Sequence, residues 1–128
     1  MVYIKVTPEF GRGVYASRLI TQGETVAVCE VLVLSADDTR VVNGLTDLQY
    51  YTFVYNAETG QDCLVLGHGE IFNHSDMTNV IYVLEEHNGR KQMIFSAICD
   101  IAEGEQLFID YNADTKVDTS AYIGKNLL

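Results

Sequence analysis

Positive charge is scarce in this chain: 8 Lys and Arg stand against 18 Asp and Glu over 128 residues, a formal net charge of -10. A surface of that sign repels phosphate backbones and gains nothing from counterion release, so direct nucleic-acid binding is not expected. It does attract cations, which makes a basic protein tail a sensible partner, although many proteins are acidic for solubility alone. Cysteine is also sparse. Cys29, Cys63 and Cys99 are odd in number and widely spaced, which suits neither a disulfide framework nor a structural zinc cluster, and they read as buried free thiols. His68, His74 and His87 lack a spacing that would put three metal ligands on one face, so no metal is expected. No apolar run reaches the ~20 residues that span a bilayer, and the first six residues are too short and strand-like for a signal peptide. The expectation is a soluble intracellular protein with no membrane attachment. The single proline, Pro8, marks a loop. Without repeats, low-complexity runs or linkers, a chain of this length is expected to form one domain around one core.

What the chain does contain is a recurrent β signal. Short runs rich in Val, Ile, Tyr, Phe and Thr, bounded by Gly, Asn and Asp, predict strands over 2–6, 13–16, 24–34, 49–55, 63–66, 79–85, 91–98 and 107–109. Between the sixth and seventh, Asn88-Gly89 can take the positive φ angles of a tight hairpin. Helical periodicity is weak everywhere; the best window, 38–48, is interrupted by Gly44. The reading is mainly β, with many short strands. The tail is polar and then ends in Tyr122, Ile123, Leu127 and Leu128, so it either frays or folds back over a site.

Three segments carry chemistry. In Phe10-Gly11-Arg12-Gly13-Val14-Tyr15-Ala16, two glycines one residue apart let backbone approach a ligand closely. Taken alone the pair also fits a plain turn, and it is no dinucleotide fingerprint without a third glycine and a helix. In Gly67-His68-Gly69-Glu70-Ile71-Phe72-Asn73-His74-Ser75, continuing to Asn79, the amides of Asn73 and Asn79 and the side chains of His74 and Ser75 suit a polar ligand. A turn, a satisfied core histidine and a glycosylation sequon are competing readings, the last of which conflicts with the expected compartment. Gly104-Glu105-Gln106-Leu107-Phe108-Ile109-Asp110-Tyr111-Asn112 is a turn feeding a strand that ends in Asp-Tyr, where a tyrosine by itself is commonly a half-buried packing residue.

In this order and spacing, the three segments resemble the SET domain of protein-lysine methyltransferases. The likeness covers residues 1–112, leaving 113–128 as a tail that could cover the active site, and it includes Gly23-Glu24 and the Ile101-Ala102-Glu103-Gly104-Glu105 turn. The chain departs from the family pattern at Glu70 (Arg in the family), Asp76 (Cys), Thr78 (Pro) and Gln106 (Glu). Cysteine-rich flanks are absent. The pattern is most similar to the small stand-alone SET proteins of large DNA viruses, which share an Ile-Phe-Asn-His-Ser segment and are dimeric.

The resemblance implies a SET-domain (β-clip) fold of short strands and small sheets with a C-terminal pseudoknot, an exception to the rule against threaded chains. It implies S-adenosyl-L-methionine as cofactor, with Arg12, Gly13 and Val14 lining its site through backbone groups and Asn73 and His74 holding its amino-acid part and adenine. Tyr111 would be catalytic, at the end of a lysine channel lined by Tyr51, Phe53, Ile109 and Tyr122. Because Ile109 has no hydroxyl to hold a water beside the amine, di- or trimethylation is expected. The substrate class implied is a basic, histone-like protein or peptide, met in the cytoplasm or, for a viral protein, in the host nucleus or chromatin, with the enzyme able to form a homodimer. Two other readings stay open, a catalytically inactive SET-like binding module and an acidic interaction protein; titration with S-adenosylmethionine sets the interaction protein, which should not bind it, apart from the enzyme and a cofactor-binding module.

Overall fold

The computed structural model describes residues 1–111. Among these residues, nine strands form two sheets. The larger, in the order β4-β5-β3-β8-β7, contains β3 (Thr25–Val33), β4 (Thr52–Asn56), β5 (Gln61–Val65), β7 (Val80–His87) and β8 (Arg90–Ala97). The smaller, β1-β2-β9-β6, contains β1 (Val2–Thr7), β2 (Gly11–Ala16), β6 (Asn73–His74) and β9 (Gln106–Ile109). The fold is mainly β, as the composition of the runs implied.

Local chemistry explains much of the layout. The β7–β8 hairpin closes on Asn88 (φ 50°) and Gly89 (φ 79°), directly after the His87–Arg90 pair, so two positive-φ residues turn the chain where the sequence predicted it. Along β8 the side chains alternate, burying Met93, Phe95 and Ala97. β3 buries Cys29 and Val31, and the bulge between Thr25 and Ala27 resets its alternation so that Val26 is also inside. These residues meet Phe72, Tyr82, Leu107 and Ile109 in one core.

The segment before β4 corrects two expectations. Residues 36–45 form a regular helix, α1 (Ala36–Leu45), whose start is capped by the Ser35 side chain accepting the Asp38 N–H at 3.0 Å. Asp37 and Asp38 in its first turn suit the helix dipole, and together with Ser35 they are the sequence signal that periodicity alone does not show. The predicted strand 49–55 begins only at Thr52, because Asp47–Tyr51 is a 3₁₀ turn capped by Thr46. Cys29 and Cys63 are buried free thiols, whereas Cys99 is only partly buried. No helix among the described residues is long and apolar enough to cross a membrane.

Candidate active site

The site is organised around β9. This strand pairs antiparallel with β2 (Val14 with Leu107) and parallel with β6 (Asn73 with Phe108, His74 with Ile109), which joins the three motif segments in one sheet. Further along the chain, Asn79 acts as a substitute strand. Its Nδ2 donates to the Gln106 carbonyl at 2.9 Å, its Oδ1 accepts the Phe108 N–H at 2.8 Å, and its own N–H reaches the Phe108 carbonyl at 3.3 Å. The Asn79 amide is therefore spent on backbone and is not a ligand group. The Tyr82 hydroxyl donates to the Asp110 carbonyl at 2.9 Å, fixing the strand's exit.

Asn73 ties the first and last motifs together. Its Nδ2 donates to the Arg12 carbonyl at 2.9 Å and to Gln106 Oε1 at 2.8 Å, and Gln106 Nε2 donates to the Tyr15 hydroxyl at 3.1 Å. A glutamine can accept at one end and donate at the other, whereas an ionised glutamate at this position could only accept. Gly13 is needed for this approach: a Cβ there would sit 2.5 Å from Gln106 Oε1 and 3.1 Å from Asn73 Nδ2. Val14 is fully buried in the core, so only its backbone faces the neighbouring strands.

His74 and Tyr111 form the other half. His74 Nδ1 accepts the Tyr111 N–H at 2.9 Å, which puts the imidazole proton on Nε2, 3.4 Å from Asp76 Oδ1. The two rings lie 5.1 Å apart, and the Tyr111 hydroxyl donates to the Phe72 carbonyl at 2.7 Å. Burial, then the neighbouring Tyr51, pushes the Tyr111 phenol above its ordinary range, partly offset by the bond to the His74 segment, so it is neutral at physiological pH.

Two cavities adjoin here. The larger, about 490 Å³, has Tyr51, Phe53, Phe72 and Tyr111 in its wall, and the smaller, about 170 Å³, has Phe10, Arg12 and Ile71. They share Tyr50, Tyr51, Glu70, Asn73 and Tyr111. Of the residues expected at a site, Arg12, Asn73, Tyr51, Phe53 and Tyr111 thus meet around one junction, with Gly13 and His74 directly behind. Ile109 does not reach it: it is fully buried in the core, one side of β9 being committed to packing. Tyr122 and the 113–128 tail lie outside the described residues. Sequence reasoning missed Tyr50 and Glu70. The Glu70 side chain accepts the Val65 N–H through Oε1 and leaves Oε2 buried without a partner; burial raises its pKa to about 7, against the opposing effect of the Val65 bond.

The order in which these motifs meet is that of a SET domain, whose family model matches residues 11–112. The chain belongs to the SET domain family. It is 30% identical over 108 residues to the histone-lysine N-methyltransferase, H3 lysine-37 specific, of Schizosaccharomyces pombe, a match covering 84% of this chain and 71% of that protein. Among solved structures, the SET8 protein of Cryptosporidium superposes with a TM-score of 0.75 at 22% identity, covering 91% of this chain and 59% of that one. The ctPRC2 assembly in an autoinhibited conformation bound to S-adenosylmethionine matches with a TM-score of 0.70 at 22% identity, covering 98% of this chain and 17% of that chain. At such identities the structures show the fold. The family is that of the SET-domain protein-lysine methyltransferases, and the SET segment of this chain is where its motifs converge.

Proposed function

We propose that this SET domain transfers methyl groups from S-adenosyl-L-methionine to a lysine in a basic protein or peptide of the histone type. The observation that carries the reading is the Tyr111 hydroxyl, held by the Phe72 carbonyl at the meeting point of two cavities and backed by the Asn73 tie to Arg12. A cavity of about 490 Å³ is of the size that takes a small ligand.

The residues present suit a cationic sulfonium cofactor. Aromatic walls favour a cation, and the Cβ-less Gly13 keeps the first motif's backbone close to Asn73. In this reading Arg12, Gly13, Val14, Asn73 and His74 hold the cofactor, which supplies an electrophilic methyl group when bound. The substrate lysine enters along Tyr51 and Phe53. A free lysine has a pKa near ~10.4, and the positive sulfonium of a bound cofactor would disfavour its charged form. The Tyr111 hydroxyl donates a hydrogen bond to the Phe72 carbonyl, which leaves its oxygen lone pairs to accept an N–H of the amine and set its direction. Alignment of this kind is worth effective molarities on the order of 10⁵ M or more in well-oriented systems.

The charge of -10 supports a basic substrate, and the histone methyltransferase relative supports a histone among the candidates. Di- or trimethylation remains part of the proposal, although Ile109, buried in the core, does not carry it. An intracellular site of action, as for a histone substrate, belongs to the same reading. The likeness to viral stand-alone SET proteins and a homodimer are further parts of it, the latter checked by sedimentation equilibrium.

The test is incubation with labelled S-adenosylmethionine and core histones, with modified lysines located by mass spectrometry. Tyr111→Phe should retain cofactor affinity within a few-fold and lose roughly 10²-fold or more in turnover. Full activity in that variant removes Tyr111 from the chemistry, and a time course that stops at monomethyl-lysine rejects the higher products.

A further inference from the structure

Glu70 is placed by rigid packing. A Cβ on the preceding Gly69 would lie 2.4 Å from Val65 Cγ1 and 3.0 Å from Phe95 Cε1, so the backbone there has no room to shift. The carboxyl is anchored at Oε1 by the Val65 N–H, while Oε2 is the one buried side-chain polar atom among the described residues that has no partner. An unpaired carboxylate oxygen withdrawn from water is costly, which makes the arrival of a donor favourable. The side chain belongs to the wall of both cavities, beside Tyr51 and Tyr111. Only Oε1 is held, so Oε2 is the free end of a side chain that lines that space.

The groups around it leave no competing cation on Oε2. Burial, with a smaller contribution from the Glu70 charge itself, holds the thiols of Cys29 on β3 and Cys63 on β5 above their ordinary range, Cys63 at about 12, so both stay neutral. His68 precedes it on its own turn, and Tyr50, Tyr51 and Tyr111 share its walls. Arg12 lines the smaller cavity but makes no bond to Oε2.

We propose that Glu70 receives the ammonium of the incoming lysine and accepts its proton, which frees the nitrogen lone pair for methyl transfer. The inference rests on the methyltransferase reading given above. In the first step an N–H bond breaks, its electron pair stays on nitrogen, and the proton goes to Oε2. The nitrogen pair then forms a bond to the methyl carbon of the sulfonium donor as the C–S pair leaves with sulfur, giving a methylated ammonium and a neutral thioether; Glu70 returns its proton to water before the next turnover. A carboxyl held near neutrality by burial is suited to this exchange, being ionised above pH 7 yet basic enough to hold a proton.

Glu70→Gln keeps the shape and the acceptor for Val65, and its folding is checked by circular dichroism. Calorimetric titration with a histone H3 peptide containing lysine 37, in two buffers of different ionisation enthalpy, counts protons. Wild type should release most of a proton on binding at about pH 6 and almost none at about pH 8.5, and the Gln variant should release none at either. In kcat/KM profiles, wild type should level off above about pH 8, while the Gln variant climbs about tenfold per pH unit through pH 9, because it must wait for free amine. A peptide carrying the less basic aminoethylcysteine in place of lysine should recover part of the variant's loss. Equal proton release by the two proteins, or parallel pH profiles, overturns the inference. So does a loss confined to S-adenosylmethionine affinity, which would put Glu70 on the donor. A wild-type protein that methylates no lysine defeats the underlying reading instead, and the proton count then still decides whether Glu70 takes the ammonium.

Discussion

β9 lies between two strands with Leu107 and Ile109 fully buried, whereas residues 36–51, which bring Gln49, Tyr50 and Tyr51 to the larger cavity, bury only Thr39. The first region is fixed by apolar packing and by a side chain, Asn79, that replaces a missing strand. The second hangs from the larger sheet by polar links: Thr39 Oγ1 accepts the Asp62 N–H at 3.0 Å, Asn43 Nδ2 donates to Asp62 Oδ2 at 2.8 Å, and the Thr52 hydroxyl donates to Asn43 Oδ1 at 3.2 Å. Such a segment opens at a lower free energy than the core it borders. β9 lines neither cavity, but through its pairing with β6 it holds Asn73 in their shared wall, so that side is fixed by the core while the 36–51 side can admit a substrate.

The largest effect is expected where the hold on β9 is broken. Asn79→Ala leaves the Phe108 N–H and the Gln106 carbonyl without partners and should cost about 2 to 4 kcal/mol of global stability in urea melts. A loss under 1 kcal/mol would mean that β9 holds its place without Asn79. Gly13→Ala acts on the same region more mildly. Its Cβ forces Gln106 off Asn73, for which about 1 to 3 kcal/mol is the usual overpacking cost, and cofactor affinity measured by calorimetry should fall with it. Retention of both would show that the close approach is not needed.

Glu70 lies where the two regions meet, and its effect is read through pH. Its folded pKa is raised to about 7 from a reference of 4.5, so the folded protein holds a proton that the unfolded chain has released. That stabilising term is fully present below the unfolded value and is lost as pH rises through about 7; discounted for partial exposure, it amounts to about 1 to 2 kcal/mol. Glu70→Gln should flatten this part of the stability profile, and an unchanged slope between pH 5 and 8 would contradict it. The smallest effect belongs to the movable wall. Ser35→Ala removes the α1 cap at about 1 kcal/mol, and amide exchange should quicken in residues 36–45 while β8 and β9 keep their protection. Equal acceleration in all three would erase the contrast between the regions.

Legibility followed the range of the interactions. The Asn88-Gly89 hairpin, the strand alternation of β8 and the order of the three motifs are properties of neighbouring residues, and they pointed to a mainly β SET domain. Helix 36–45 was under-read because its evidence lies in a cap and an acidic first turn, and the 3₁₀ turn at 47–51 because its tyrosines carry strand propensity. Ile109 fits a channel by its place before Tyr111, yet alternation along β9 sends it into the core.

The sequence by itself determined the family, the strand-rich class and the identity of Asn73, His74 and Tyr111 as residues of interest, because these depend on residue type and order. Only the tertiary structure decided what those side chains do. The Asn73 to Gln106 bond joins residues 33 positions apart, and Tyr111 reaches Phe72 across 39. It also decided that Asn79 is spent on backbone and that Glu70 keeps an unpaired oxygen at the wall of two cavities. Hydrogen-bond satisfaction and burial are set by everything that packs around an atom, and no local window of sequence contains that environment.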